Sequence, residues 1–331
     1  MAQIKIRQWP ISINARNKTI LEAALKSGIP YPHSCRTGEC GNCKSRLLQG
    51  EVEHDSYFQE ALSDAERESG LILACRAKPK EDIEVTWLAE THADFTISVR
   101  KFKARVIDIQ SVAHNVTQLR LEPQKEPLAF AAGQYAELKF GWHPIRPYSM
   151  ANRPDDPILE FHIRHVLGGK VSSYVANRVK LGDKVTIRGP FGSSYARNQF
   201  SGPIIAVAGG TGLAPMLSII RTTLQNENKQ PIHLYYGVQD EIDIYSENEL
   251  RELEKNYPWF RSHIVLSAPN GQTSRRTGFL HELLTQDFTQ LSGTKVYTAG
   301  PPPMVNMIKK TAKNLGADED DIHTDPFVVS P

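Results

Sequence analysis

The segment Ser34–Cys43 reads SCRTGECGNC and places Cys35, Cys40 and Cys43 on one short loop. The fourth and last cysteine, Cys75, follows 32 residues after Cys43, at the end of the apolar run LILA. The spacing C-x4-C-x2-C with a distant fourth Cys is typical of four thiolates that hold a [2Fe–2S] cluster. The sequence therefore predicts that these four cysteines bind one such cluster.

The cysteine loop also contains two glycines, Gly38 and Gly41, which permit positive φ angles or a close approach to the cluster. Inward N–H groups of such a loop offset the negative charge of the cluster. A disulfide pair, a zinc site and four unrelated buried cysteines are the alternatives. The chain begins with the alternating segment MAQIKI rather than a signal peptide, and Cys75 has no nearby cysteine to complete a second C-x2-C pair, so the cluster is favoured.

The composition is that of an ordinary globular protein: 331 residues, 40% hydrophobic and 23% charged, which predicts two or three domains. A net charge of +2 speaks against nucleic acid or a membrane surface as a partner. The most apolar stretch, residues 204–220, is interrupted by three glycines and a proline, so no membrane helix is expected. Thiols reserved for a metal cluster fit the reducing cytoplasm, and we expect a cytoplasmic monomer.

The chain divides into three patterns, which together predict a multidomain protein of α+β and α/β classes. Residues 1–92 hold short strands around the cysteine loop, with a polar linker at residues 89–96. Residues 99–199 contain β-rich runs separated by Pro and Gly, which predicts an antiparallel β-barrel. In residues 200–331 strands alternate with helices, which predicts a parallel α/β sheet.

The barrel region carries a candidate flavin site in two short motifs, RPYS at residues 146–149 and GGKVSS at residues 168–173. Arg146 offers a planar cation for a pyrophosphate, Tyr148 a flat surface for the ring and Ser149 a partner for N5. The glycine turn brings a helix N-terminus to the pyrophosphate. An ordinary strand ending in a turn explains either motif alone, but their combination favours FAD. The predicted FAD contacts are Arg146, Pro147, Tyr148, Ser149, Gly168, Gly169, Lys170, Val171 and Ser172.

A candidate nicotinamide site follows the apolar strand at residues 204–208, where GGTGLAP at residues 209–215 leads into a helix. Such a loop lets a pyrophosphate approach the backbone at a helix N-terminus. A second loop, AGPPPM at residues 299–304, ends the last predicted strand at the same sheet edge, although two structural turns are the alternative. The predicted contacts are Gly210, Thr211, Gly212, Pro215, Gly300, Pro301, Pro302 and Met304.

Charge near the ribose indicates the coenzyme. Asp240, followed by Glu241 and Asp243, favours a free 2′-hydroxyl and therefore NADH. Arg275 and Arg276 would favour a 2′-phosphate if their loop reached the ribose, and the acids can equally belong to a solvated loop. We expect NADH, with Asp240 at the ribose.

The cluster motif and GGTGLAP resemble those of the NADH-dependent reductase components of bacterial aromatic-ring-hydroxylating dioxygenases, over nearly the whole chain. The resemblance implies a β-grasp plant-type ferredoxin domain, an FAD barrel and an NAD-binding domain. It implies an iron–sulfur flavoprotein oxidoreductase that passes electrons from NADH through FAD and [2Fe–2S] to a terminal oxygenase or to a Rieske or plant-type ferredoxin. Reductases of soluble di-iron monooxygenases, reductases of sugar deoxygenation, and a redox sensor or storage module are the rival functions.

The resemblance also implies further site residues. The first set is a strand expected to touch the flavin nucleotide: His162, Ile163 and Arg164. The second is the tail motif Asp325-Pro326-Phe327, in which Phe327 shields the flavin ring. The family often has a Cys where this chain has Ala299, so orientation of the hydride donor is expected to rest on Ser149, Asp325 and the loop backbone.

Overall fold

The computed structural model describes residues 2–88, 99–225 and 229–328, so the predicted linker at residues 89–96 lies outside the described residues. The chain separates into two compact units. The first comprises residues 1–99 with 191–193, and the second comprises residues 100–190 with 194–331. The first holds the four cysteines, and the second holds both nucleotide motifs.

The first unit is a mixed sheet with two short helices. Its strands are β1 (Gln3–Ile6), β2 (Ile13–Asn14), β3 (Lys44–Gln49), β4 (Val52–His54), β5 (Leu71–Leu73), β6 (Ala77–Pro79) and β7 (Ile83–Trp87), and its helices are α1 (Ile20–Lys26) and α2 (Asp64–Glu68). The main sheet has the order β2-β1-β7-β3-β5, while β4 and β6 form a separate pair. β1 runs parallel to β7 and antiparallel to β2, which is the arrangement of the predicted β-grasp fold.

Helix α1 is stabilised by signals at both of its ends and by a buried apolar face. Thr19 and Glu22 make a reciprocal capping box at its start, worth about 1 kcal/mol in typical helices. Gly28, at φ +78°, follows its last turn. The N–H of Leu21 donates to the carbonyl of Ala74 at 2.9 Å, which fixes the helix against the segment that leads into the fourth cysteine.

The second unit begins with the predicted antiparallel barrel. Its strands are β8 (Arg100–Ala113), β9 (Val116–Pro123), β10 (Tyr135–Phe140), β11 (Arg146–Ser149), β12 (Leu159–Arg164) and β13 (Lys184–Phe191, whose last residue is grouped with the first unit), and its helix is α3 (Lys170–Asn177). The order is β11-β10-β13-β8-β9-β12, and a bridge between Met150 and Phe161 brings the two ends of the sheet together. The barrel is therefore nearly closed around an apolar core that includes Leu119, Phe161 and Ile187.

The rest of the second unit is the predicted parallel α/β sheet. Its strands are β14 (Ile204–Gly209), β15 (Ile232–Val238), β16 (Phe260–Leu266), β17 (Arg276–Thr277), β18 (Lys295–Gly300) and β19 (Ile322–Pro326), and its helices are α4 (Leu213–Leu224), α5 (Glu247–Asn256), α6 (Leu280–Asp287) and α7 (Pro302–Asn314). The order β17-β16-β15-β14-β18-β19 is parallel throughout. Strand β19 was not predicted, because its sequence IHTDP is short, polar and ends in proline. No helix among the described residues has the length and apolar character needed to span a bilayer.

Candidate cofactor and electron-transfer sites

The four cysteines come together in the first unit. Cys43 immediately precedes β3 and Cys75 lies just beyond β5, and these two strands pair side by side. The thiols lie close together in two pairs, since Cys40 is the largest influence on the pKa of Cys35 and Cys75 is the largest influence on that of Cys43. Within the described ranges, no three or more His, Cys, Asp or Glu side chains surround a single point suited to one metal ion. The arrangement is two thiol pairs on a loop and a strand end.

The cysteine loop directs backbone N–H groups at sulfur. The N–H groups of Thr37 and Glu39 both lie 3.4 Å from Cys35 Sγ, and that of Asn42 lies 3.5 Å from Cys40 Sγ. The Cys40 thiol, followed by Thr37 and the N–H of Glu39, lowers the pKa of Cys35 to about 4 against the opposing effect of burial. Donors aimed at thiolates suit an anionic iron–sulfur cluster.

The two loop glycines are required by geometry. Gly38 and Gly41 adopt φ +82° and +77°, as the sequence predicts. A Cβ on Gly38 would lie 2.8 Å from Tyr57 Cβ, so a side chain would press the loop outward. The residues present therefore fit a [2Fe–2S] cluster.

The flavin motif RPYS forms β11, an edge strand of the barrel sheet. Tyr148 is half-buried against the barrel core, and burial raises its pKa to about 12. Ser149 is buried, Arg146 is partly exposed and Pro147 is exposed. This order of a cation, an aromatic face and a buried hydroxyl matches the predicted needs of a flavin.

The second flavin motif opens helix α3. Gly168 has φ +72°, and Gly169 caps the helix without a side-chain hydrogen bond, so that the first-turn N–H groups have no side-chain cap. Lys170 is the first helical residue and is exposed, whereas Val171 is buried in the core. Ser172 Oγ accepts from the N–H of Val166 at 3.0 Å, which closes the turn. The Ser172 hydroxyl thus holds the loop in place. If Ser172 contacts the cofactor, it does so through its backbone N–H.

The strand expected to touch the flavin, β12, directs its side chains in different directions. Ile163 lies in the barrel core. His162 is buried between Glu160 Oε1 and Tyr245 Oη, both at 3.2 Å. Arg164 is exposed, with its guanidinium near Gly210. Any flavin contact of His162 and Ile163 must therefore come from their backbone.

The two nicotinamide loops meet backbone to backbone. A Cβ on Gly212 would lie 2.0 Å from the carbonyl oxygen of Ala299, and a Cβ on Gly300 would lie 2.9 Å from that of Gly209. Gly210, Thr211 and Gly212 form a 3-10 turn that leads into α4, with Pro215 buried in the first turn of the helix. Only glycine permits this approach of β14 to β18.

The β18 loop leads into α7. Pro301 is the N-cap and Pro302 the first residue of α7, which leaves its N-terminal N–H groups without a side-chain cap. Met304 faces inward, since a Cβ on Gly209 would lie 2.6 Å from its sulfur. Among the predicted contacts, Met304 therefore packs the loop rather than facing solvent.

The structure brings Ser149 to the C-terminal motif. Ser149 Oγ lies 3.4 Å from Asp325 Oδ2, and both residues are buried. Asp325 pairs in register with Ala299 across β18 and β19. The N–H of Phe327 donates to the carbonyl of Gly300 at 2.8 Å, which holds the aromatic residue at the same edge. The three predicted catalytic residues thus lie around the end of β18.

Asp240 and the two arginines have partners of their own. Asp240 Oδ1 accepts from the N–H groups of Glu241 at 2.8 Å and Asn270 at 3.1 Å. Arg275 binds both Glu241 and Glu247, and Arg276 binds Asp287. Asp240 therefore holds two loops together at the sheet edge, and the positive charges that would favour NADPH are paired with carboxylates.

The sequence did not predict a group of polar contacts inside the second unit. This group, called the polar seam below, joins Ser218 and Arg221 to residues 151–152 and Glu160. Ser218 and Arg221 on α4 contact the barrel segment that follows Ser149, together with Glu160 on β12. The available signal was a serine and an arginine in a helix whose residues are otherwise largely buried and apolar. A polar residue in such a helix needs a partner.

Three family models match the chain: a 2Fe-2S iron-sulfur cluster binding domain over residues 5–80, an oxidoreductase FAD-binding domain over 103–195, and an oxidoreductase NAD-binding domain over 206–310. The reductase component of the naphthalene 1,2-dioxygenase/salicylate 5-hydroxylase systems of Ralstonia sp. is 36% identical over 329 residues, covering 99% of both chains. The naphthalene 1,2-dioxygenase reductase component of Pseudomonas putida is 35% identical, covering 93% of each.

This chain belongs to the ferredoxin–NAD(P)+ reductase component family. The crystal structure of the Amycolatopsis cytochrome P450 reductase GcoB shares its fold, with a TM-score of 0.82, 34% identity and 99% coverage of both chains. The reductase is an iron–sulfur flavoprotein oxidoreductase with domains for [2Fe–2S], FAD and a nicotinamide dinucleotide, which confirms the predicted fold class, cofactor classes and family. When bound, the flavin supplies the exchange between a two-electron hydride donor and one-electron carriers.

Proposed function

We propose that this reductase takes electrons from NADH and delivers them to the terminal oxygenase of an aromatic-ring-hydroxylating dioxygenase, directly or through a Rieske or plant-type ferredoxin. The observation that carries the proposal is the joining of Ser149, Asp325 and both glycine loops at one sheet edge, in a chain that also carries three cysteines on one loop and a fourth at residue 75. The names of the Ralstonia and Pseudomonas putida relatives supply the partner class.

The proposed residue roles follow their positions. Cys35, Cys40, Cys43 and Cys75 are the cluster ligands. Arg146 and the first turn of α3 bind the FAD pyrophosphate, since a cation and uncapped N–H groups attract anions. Ser149 and Asp325 orient the nicotinamide against the flavin, and Phe327 covers the ring until the nicotinamide arrives. The glycine loops before α4 and α7 receive the nicotinamide dinucleotide.

NADH is proposed as the coenzyme because the nearby arginines are neutralised. Arg275 lies between Glu241 and Glu247, with N···O distances of 2.9 and 3.1 Å. A 2′-phosphate would have to displace these carboxylates and would meet their repulsion. Domain limits of 1–92, 99–199 and 200–331, a monomeric state and a cytoplasmic location complete the proposal.

The experiment is an anaerobic reduction of the purified holoprotein by NADH. Optical bleaching of the flavin should precede the EPR signal of the reduced cluster. Addition of a dioxygenase, with and without its ferredoxin, should then yield hydroxylated aromatic product. A flavin that NADH does not reduce would rule out the proposal.

The same assay separates the rival partners. A cytochrome P450 serves as the alternative acceptor because the Amycolatopsis relative is a cytochrome P450 reductase. A soluble di-iron monooxygenase is the other. Product formation with only one of these would replace the dioxygenase as partner while leaving the reductase chemistry intact.

A further inference from the structure

Helix α4 is joined to the barrel by one buried and two partly buried hydrogen bonds, close to the proposed hydride-transfer site. Ser218 Oγ donates to the carbonyl oxygen of Asn152 at 2.6 Å. One helical turn later, an Nη of Arg221 donates to the carbonyl oxygen of Ala151 at 2.7 Å and to Glu160 Oε1 at 3.1 Å. Ser218 has no exposed surface, so its bond is made out of contact with solvent.

The barrel side of this seam is itself rigidly held. The N–H of Ala151 donates to the carbonyl oxygen of Glu160 at 2.8 Å, and the N–H of Glu160 donates to Asn152 Oδ1 at 3.0 Å. Met150 bridges to Phe161. Residues 150–152 are therefore part of the barrel, and they follow Ser149 directly in the chain.

The helix side leads straight to the nicotinamide loop. The α4 helix begins at Leu213, immediately after the Gly210–Gly212 turn that meets Ala299. Because the residues of an α-helix move largely together, a hydrogen bond at Ser218 or Arg221 also constrains the position of the glycine turn that directly precedes the helix. The seam thus connects the two halves of the site, Ser149 on the barrel and the glycine loop on α4.

Most of α4 packs into the apolar core, but Arg221 lies on a side of the helix that borders an open cleft. Asn152, Glu160 and Arg221 line an open cleft of about 550 Å³ that continues to Leu224 and Tyr257 near the end of α4. A helix beside an open cleft can shift when its polar bonds are removed. Arg221 is further held by Glu249 on α5, at 2.6 Å.

We propose that Ser218 and Arg221 are positioning residues that set the distance between the nicotinamide and the flavin through their bonds to Asn152, Ala151 and Glu160. Their hydrogen bonds run to the barrel and to α5, and neither residue is among those assigned above to a cofactor. The inference rests on the proposed function, because hydride transfer from NADH to FAD is what the positioning serves.

The test measures flavin reduction by stopped flow at saturating NADH in Ser218→Ala and Arg221→Lys holoproteins. We expect each variant to lower the limiting rate constant about tenfold, since misplacement by about 1 Å can cost 100-fold. The NADH dissociation constant and FAD content should stay close to wild type. The primary isotope effect with deuterated NADH should persist, which shows that the hydride step itself has slowed.

Arg153→Lys is the matched control. Arg153 adjoins Asn152, but its guanidinium pairs with Asp155 and Asp156 on its own loop. Its rate constant should equal that of wild type.

Two results would overturn the inference. One is an unchanged limiting rate in both seam variants. The other is a rate that falls only in proportion to lost FAD or lost folded protein, which would make the seam merely structural. Ser218→Cys, with similar volume and a weaker donor, replaces Ser218→Ala if the latter does not fold. A wild-type flavin that NADH fails to reduce would count against the proposed function instead.

Discussion

The cysteine loop and the nicotinamide edge are built to bind their groups by different means. In the cysteine site, the proposed function lies in four side chains of one type, three of them within residues 35–43 and the fourth at residue 75. At the edge, the proposed function lies in backbone shape, since Gly212 lies against the carbonyl of Ala299, which is distant in the sequence. Spacing in sequence therefore decides the first site, whereas the pairing of strands in the sheet decides the second.

The largest effect is expected from removal of one proposed cluster ligand, which should abolish the function of the cysteine site and leave that of the nicotinamide edge unchanged. We expect Cys75→Ala to abolish the EPR signal of the reduced cluster and electron delivery to the oxygenase, because three thiolates leave one iron site open. Flavin reduction by NADH should continue at the wild-type rate, because the nicotinamide edge lies in the other unit. Iron content, EPR and stopped-flow absorbance provide the measurement.

Thr37→Ser is the control for this variant, since it changes a loop side chain but keeps the backbone N–H that faces Cys35 Sγ. A Cys75→Ala protein that retained a four-thiolate cluster spectrum would contradict the ligand assignment.

One methyl group added at Gly212 should test the nicotinamide edge, where two backbone segments lie in direct contact. In Gly212→Ala the new Cβ would lie 2.0 Å from the Ala299 oxygen, and we expect a loss of about 3 kcal/mol of unfolding free energy, with NADH-dependent flavin reduction lost as well. Gly210→Ala is the control two residues away. It has space around its Cβ but φ +55°, so its cost should be only about 1–2 kcal/mol. Thermal and denaturant unfolding measure both variants. Equal losses of unfolding free energy in Gly212→Ala and Gly210→Ala would show that the close approach of Gly212 to Ala299 is not what makes the glycine necessary.

This contrast explains what the sequence could and could not predict. The cysteine ligands, the barrel and the α/β alternation follow from local spacing and periodicity, and the fold classes are confirmed. Strand β19 and the seam at Ser218 and Arg221 depend on which distant elements become neighbours, and periodicity carries no such information. The same limit applies to His162, whose side chain lies in a buried network while sequence similarity suggested a flavin contact.

Coenzyme choice should depend on the carboxylates that hold Arg275. We expect Glu241→Gln combined with Glu247→Gln to raise kcat/KM for NADPH relative to NADH about tenfold, or about 1.4 kcal/mol, by freeing a cation for the 2′-phosphate. Steady-state kinetics with both coenzymes provide the measurement. Glu252→Gln, an exposed position on the same helix, should leave the ratio unchanged. A double variant with the wild-type ratio would show that Arg275 does not reach the ribose.

The seam should make the second unit sensitive to acid. The pKa of Glu160 lies well below its usual 4.5, because hydrogen bonding from His162 and the charges of Arg221, His162 and Arg120 outweigh the opposing effect of burial. A carboxyl with a lowered folded-state pKa stabilises the protein above its unfolded pKa and loses that contribution as pH falls below about 4.5. The uptake of one proton by Glu160 changes the free energy of unfolding by at most about 1.4 kcal/mol per pH unit.

We therefore expect Glu160→Gln to flatten the fall of unfolding free energy between neutral pH and acid. Urea unfolding at a series of pH values below 5 would measure it. Glu126→Gln, an exposed barrel position, should keep the wild-type slope. Identical slopes in wild type and Glu160→Gln would place the acid sensitivity elsewhere.

The smallest effect is expected at Ala299, where the family resemblance described above implies a cysteine in other members. Ala299 is fully buried in the core beside Ala208, and its carbonyl is in the closest approach to Gly212, so an added sulfur should cost about 1 kcal/mol of stability. Ala208→Cys, in register on β14, matches that packing cost and serves as the control. Since Ser149 and Asp325 already meet at 3.4 Å, the thiol should tighten an existing orientation, changing the flavin reduction rate less than about threefold. An Ala299→Cys protein with an unchanged rate constant and NADH affinity would show that this position has no part in orienting the hydride donor, and that the backbone and the Ser149–Asp325 pair suffice.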